Sequence, residues 1–177
     1  MSLFDAYERV TEKPESGRLP EMRQLFAGAG LLVLTRHVDA RGDLIEVFRE
    51  SWHLHGRAAQ VYLSATEADV VKGWHLHQVQ TDRFHCVAGR VIVGLWDADA
   101  GGVVEVCMRE TDNLSLIIGP GIPHGWYNPG PERAVILNCV SHEYDGTDEW
   151  RRPADAGPEF VRYIEDSAYN WRRRRDG

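Results

Sequence analysis

The 177-residue sequence is short of cysteine, of positive charge and of long apolar runs. Its three cysteines, Cys86, Cys107 and Cys139, are odd in number and scattered through strand-like segments, which suits reduced, buried thiols better than a disulfide framework. Lys and Arg total 20 against 27 Asp and Glu, a net charge of -7, and this balance excludes general nucleic-acid binding, which rests on accumulated cations. The local exception, the basic run at 172–175, reads as a solvated chain end. No stretch approaches the roughly eighteen consecutive apolar residues of a membrane helix. The charged N-terminal segment also lacks the apolar centre of a secretory signal, so a soluble, cytoplasmic protein is expected. No internal repeat, low-complexity segment or linker interrupts the chain.

Hydrophobic residues make up 43% of the sequence, enough for one well-buried core in a chain of single-domain size. Residues 1–30 mix charge, Gly and Pro, with helical patterning only at 3–10, and read as an arm. From 31 to 150 the pattern is short segments rich in Val, Ile, Leu and aromatics between Gly, Asp, Asn and Pro, which predicts an all-β sandwich or barrel. Strands are predicted at 31–38, 44–49, 60–65, 70–77, 83–87, 90–96, 103–109, 114–118 and 133–141. Val87-Ala88-Gly89-Arg90 reads as a tight turn that folds two strands back on each other, with Gly89 free to take positive φ. Residues 151–177 form a C-terminal segment, with helix-like spacing over 155–171 and the basic tail after it.

The chemistry concentrates in Gly73-Trp74-His75-Leu76-His77 and the residues up to Asp82. Residues two apart on a strand face the same way, so His75 and His77 project together while Trp74 and Leu76 take the other face. A third imidazole, His124, follows the Gly/Pro turn at 119–123, which aims a short strand back at the interior. Three imidazoles with one carboxylate form a mixed N/O set suited to Zn, Fe, Mn, Ni, Co or Cu, and the alternative is a set of hydrogen-bonded barrel histidines without metal. His37, His53, His55, His85 and His142 read as core or surface residues. Trp74, Trp96 and Trp126 suit either a stacking pocket or the core.

His75, His77, Asp82 and Gly89, followed by Pro120, Gly121, His124 and Asn128, resemble the two sequence motifs of the cupin superfamily, with Asp in place of the commoner Glu. The resemblance implies a double-stranded β-helix, a jelly-roll barrel, here with short N- and C-terminal helical pieces. It also implies a divalent metal on His75, His77, Asp82 and His124. Asp82, one methylene shorter than Glu, either ligates or orients a histidine through its free ring nitrogen.

A narrower resemblance covers roughly residues 31–150. Asp39-Ala40-Arg41-Gly42-Asp43-Leu44-Ile45-Glu46, then Gln60 to Ser64, Lys72-Gly73-Trp74-His75 and Pro120 to Gly125 are similar to the dTDP-4-dehydrorhamnose 3,5-epimerase family. This implies nucleotide-diphosphate binding by Arg41, Glu46, Gln60 and Lys72, and a proton-abstracting base at His75. Lys72 keeps the charge of the family Arg without its bidentate fork. The chain departs from the family at the enolate-steadying Lys, where it has Asp82, and at the proton-returning Tyr, near which it has Ile136, Leu137 and Asn138; His77 stands where the family has Gln.

Exchanging an ammonium for His77 and Asp82 is consistent with a metal that polarises the same carbonyl oxygen. A ligating His75 would, however, have committed the lone pair a base needs, leaving His85, Tyr62, His142 or a metal-bound hydroxide as proton acceptor. The leading expectation is an isomerase-class enzyme, an epimerase or keto-isomerase of a nucleotide-activated 4-keto-6-deoxy sugar acting through an enediolate, with metal assistance left open. The alternatives are a metal-dependent cupin dioxygenase or isomerase on another small molecule, and a non-catalytic sugar-nucleotide binder. A homodimer that exchanges strands, with the N-terminal arm as donor, is expected as well.

Overall fold

Side chains two apart on a strand share a face, and in the near-continuous apolar strands of this chain both faces are buried. On β8 (Arg90–Asp97), Val91, Val93 and Leu95 enter the main core while Ile92 packs behind the sheet with Val71 and Tyr127. On β10 (Leu114–Ile118), Leu116 and Ile118 enter the same core while Ile117 turns to Leu32, Leu34 and Trp52 on the outer side. The main core therefore draws on two sheets that face each other. Each fully buried Val, Leu or Ile in it contributes about 1.5–3 kcal/mol.

The computed structural model describes residues 18–54, 56–153 and 175–176. One sheet has the spatial order β1 (Glu21–Phe26), β2 (Ala29–Val33), β10, β7 (Asp82–Ala88), β12 (Ala134–Val140), β5 (Gln60–Thr66). The other runs β13 (Trp150–Arg151), β6 (Val70–Leu76), β11 (His124–Tyr127), β8, β9 (Gly102–Arg109), with β14 (Arg175–Asp176) parallel to the start of β6. A separate hairpin joins β3 (Arg36–Asp39) to β4 (Gly42–Ile45). This is the all-β jelly-roll barrel expected from the sequence. The helical patterns at 3–10 and 155–171, and His55, lie outside the described residues.

Several expectations are corrected. Strand pairing begins at Glu21, inside the segment read as an arm, where β1 pairs with β2 of the same chain. The strand predicted at 31–38 divides between β2 and β3, and the one predicted at 44–49 ends at Ile45. Gly89 does take positive φ, 70°, but β7 and β8 do not pair; the turn carries the chain from one sheet to the other. A Cβ at Gly89 would lie 3.1 Å from the Arg133 carbonyl oxygen, so the crossing needs glycine for space as well as for conformation.

The outer face of the first sheet is covered by the segment after β4. Buried Arg83 anchors that cover from the reverse side of β7: its guanidinium donates to the carbonyls of Leu54, Gly56 and Cys139, and sits 5.1 Å from the Phe48 ring centre. Arg83 and His85 thus point away from the barrel interior, and Asp82 and Phe84 point into it.

Candidate active site

A cavity of about 730 Å³ opens between the sheets, walled by Tyr62 and Asp82 from the first and by Lys72, His75 and His124 from the second, with His77 just beyond β6. Strict alternation on β6 would turn Lys72 away from His75. The pairing corrects this: His124 faces His75 and Trp126 faces Lys72, so Gly73 and Trp74 together oppose Gly125 alone. This β-bulge re-aims one side chain and brings Lys72 and His75 to the same wall. A Cβ on Gly125 would lie 3.0 Å from the Lys72 carbonyl oxygen, so glycine there permits the bulge.

His77, Asp82 and His124 form a tight group whose candidate ligand atoms all lie within 4.8 Å of one another. The Nδ1–H of His77 donates to the Asp148 carbonyl at 2.8 Å, and that of His124 to the Ile122 carbonyl at 2.9 Å. A carbonyl only accepts, so each ring presents a bare Nε2. These two nitrogens stand 3.8 and 3.7 Å from Oδ2 of Asp82. The other carboxylate oxygen, Oδ1, is held by amide N–H groups of Gln80 at 3.1 Å and Asn138 at 2.7 Å. With both rings neutral, the set offers three electron-pair donors. Ligands about 2.0–2.2 Å from a metal stand roughly 3–4 Å apart, so this set fits a divalent cation, and the ring-to-carbonyl bonds are the supports that metal-bound histidines use. Asp82, despite its length, reaches both histidines.

His75 is not one of those three; its ring centre lies 5.9 Å from that of His124, much the same as the 5.8 Å between His77 and His124, and 5.5 Å from that of Trp126. Burial first, then the neighbouring charges of His124, Arg151, His77 and Lys72, depress it to about 3. The ring is therefore neutral, with a lone pair available. Burial also lowers His124. Lys72 donates to Ser64 Oγ at 2.9 Å and lies 5.7 Å from the Trp126 ring centre; Arg151 and Arg152 add cations to the cavity wall.

Among the other expected residues, Gln60 lines the cavity and its Oε1 accepts the Tyr144 N–H. Arg41 and Glu46 do not join it within one chain. They line a second cavity of about 680 Å³ on the β3–β4 hairpin, where Arg41 pairs with Asp39 and Glu46 with Arg49. Asn128 holds the turn after β11, its amide donating to the carbonyls of Thr66 and Glu132. Of the alternative proton acceptors, Tyr62 lines the cavity, whereas His85 is tied to the Leu114 carbonyl behind the sheet and His142 to Ser141. Sequence reasoning missed Gln80, Tyr144, Glu149, Arg151 and Arg152. Only the charges of the last three gave a signal, and nothing local placed them beside β6.

The barrel defines the class: a jelly-roll cupin fold, shared with a solved 4-keto-6-deoxy sugar epimerase. NovW, such an epimerase from Streptomyces spheroides, superposes with a TM-score of 0.70 over 82% of each chain at 22% identity. The polysaccharide biosynthesis C-terminal domain family matches residues 37–149, and the chain belongs to that family. It is 33% identical over 128 residues to the probable low-salt glycan biosynthesis epimerase Agl13 of Haloferax volcanii, covering 67% of this chain and 82% of that protein. It is 28% identical over 138 residues to the spore coat polysaccharide biosynthesis protein SpsL of Bacillus subtilis, covering 74% and 91%. Among the described residues no helix is long and apolar enough to cross a membrane.

Proposed function

We propose that the chain is an epimerase or keto-isomerase of a nucleotide-activated 4-keto-6-deoxy sugar, working in the cytoplasm. The observation that carries this reading is a neutral His75 in the wall of a cavity of sugar-nucleotide size, to which Lys72, Arg151 and Arg152 bring cations and Asp82, Asp145 and Glu149 bring carboxylates. The glycan-biosynthesis relatives and the epimerase fold support it.

His75 takes a proton from the carbon beside the 4-keto group, and the C–H electron pair moves into an enolate whose oxygen carries the charge. Lys72, Arg151 and Arg152 hold the diphosphate, with Gln60 beside them. The donor set of His77, Asp82 and His124 fits a divalent metal, which when bound supplies a Lewis acid that polarises the keto oxygen. The ligand set without His75 removes the conflict between base and ligand. Arg41 and Glu46 reach substrate from a second copy of the chain. The exposed Val38 and Leu44 of the β3–β4 hairpin and the exposed Val61 and Leu63 on the edge strand β5 are surfaces that a homodimer would cover.

The test is to incubate a dTDP-4-keto-6-deoxyhexose with the protein, trap the 4-keto group by borohydride reduction and analyse the sugar. A product inverted at C3 or C5, or carrying a 3-keto group, is expected; unchanged sugar with metal-replete protein and several nucleotide carriers would refute the proposal. The same donor set favours a second reading, a metal-dependent cupin enzyme on another small molecule. That reading predicts bound metal together with unchanged sugar.

A further inference from the structure

Inverting a carbon beside a ketone needs two proton-transfer groups, one on each face of the planar enolate. His75, on β6 of the second sheet, supplies one. Across the cavity the first sheet offers Tyr62 on β5. Tyr62 and Asn138 are direct cross-strand partners.

The hydrogen bonds of Asn138 determine what the Tyr62 hydroxyl has left to give. Asn138 Oδ1 accepts the Arg83 backbone N–H at 2.9 Å, which fixes the orientation of the amide. Its Nδ2 then donates to Asp82 Oδ1 at 2.7 Å and to the Tyr62 hydroxyl oxygen at 2.8 Å. The phenol is an acceptor in that bond, so its own proton is not used there. An N–H donor at the oxygen also stabilises the phenolate left after that proton departs. Burial, then the charge of Asp82, pushes the Tyr62 phenol up to about 12, so it is protonated at neutral pH. The other groups on this wall are less suited. The Ser64 hydroxyl, which accepts from Lys72, is an aliphatic alcohol and a far weaker acid than a phenol, Gln60 and Gln80 carry amides, and Asp82 receives two amide donors.

We propose that Tyr62 is the catalytic acid that completes the inversion, a phenol carried on β5 and held in place by Asn138 on β12. The inference rests on the function proposed above. His75 removes the proton and becomes an imidazolium, and the electron pair forms the enolate. As the C=O re-forms, the enolate carbon takes the Tyr62 proton on the opposite face, leaving a phenolate. The phenolate recovers a proton, and the imidazolium loses one, through solvent. No oxidant or reductant is needed.

The experiment follows a dTDP-4-keto-6-deoxyhexose in deuterated water with wild-type protein and the variants Tyr62→Phe, Tyr144→Phe and Asn138→Ala. Deuterium entry and configuration at C3 and C5 are read by NMR. Tyr62→Phe is expected to slow inversion about 100-fold or more while deuterium still enters with retained configuration, because His75 still makes and re-protonates the enolate. Asn138→Ala is expected to show a smaller loss with the same separation of exchange from inversion. Inversion by Tyr62→Phe at the wild-type rate would overturn the inference. So would equal loss of exchange and inversion in that variant, or exchange without inversion in Tyr144→Phe instead, since Tyr144 is the other phenol lining the cavity among the described residues. Absence of exchange in the wild-type protein would instead overturn the underlying function. Circular dichroism on each variant separates loss of fold from loss of chemistry.

Discussion

Single side chains divide the work of the site. Asp82 turns one oxygen to two amide donors and the other to two imidazoles, so its carboxylate has one orientation. His77 and His124 are locked by backbone carbonyls with Nε2 inward, whereas His75 is not part of their group with Asp82. Metal content is therefore expected to depend on some histidines and not on others. Purified protein reconstituted with Mn, Fe, Co, Ni or Zn should hold one ion per chain by elemental analysis. His77→Ala and His124→Ala should lose it, and His75→Ala should keep it. Equal loss in all three variants would show that His75 is a ligand after all. Conversely, His75→Ala should abolish turnover while leaving the metal in place.

At the level of elements, short segments rich in Val, Ile, Leu and aromatics between turn residues predicted much of the barrel. Which side chains enter the main core was not legible there: Val91, Val93 and Leu95 against Ile92, and Leu116 and Ile118 against Ile117, are all apolar, and only the packing of the sheets divides them. Alternation along the strand correctly paired His75 with His77. It could not find the bulge at Gly73 and Trp74, because the extra residue is defined only by its partner Gly125, some fifty positions away in sequence. Nor could it tell a hairpin from a crossing between sheets at Gly89, since both need the same local turn. Arg151 and Arg152 could not be placed for a similar reason: β13 reaches the cavity by pairing Arg151 with His75, and the Arg152 N–H donates to the Trp74 carbonyl.

The bulge also carries a prediction. Gly125→Ala drives a Cβ against the Lys72 carbonyl at 3.0 Å. Overpacking of this kind costs about 1–3 kcal/mol. Urea unfolding should show that loss, and KM for the nucleotide sugar should rise more than kcat falls, because Lys72 and not His75 is displaced. A change in kcat alone would point away from the bulge as the device that aims Lys72.

At the scale of the whole molecule, burial holds three of the described histidines in neutral form. His75 is depressed to about 3, well below the ordinary imidazole range, and His85 and His124 are depressed as well, burial being the first cause in each. Below pH 6.5 the unfolded chain binds protons that the folded barrel refuses, so stability falls as pH drops from there toward the folded values, and above pH 6.5 these groups contribute no slope. Each contributes at most about 1.4 kcal/mol per pH unit. In metal-free protein the urea midpoint should be level from pH 8 to 7 and decline from pH 6.5 to 5; a midpoint that rises on acidification would contradict the assignment of neutral buried rings. Association belongs to this scale too. The hairpin bearing Arg41 and Glu46 lies apart from the His75 cavity in one chain, so light scattering should find a dimer.

The central claim is that His75 takes a proton from the carbon beside a sugar ketone, and solvent exchange tests it most directly. In deuterated water the wild-type protein should place deuterium at C3 or C5 of a nucleotide-activated 4-keto-6-deoxyhexose, and His75→Asn should not. No deuterium entry with metal-replete wild-type protein on any nucleotide carrier, or undiminished entry with His75→Asn, would contradict the account.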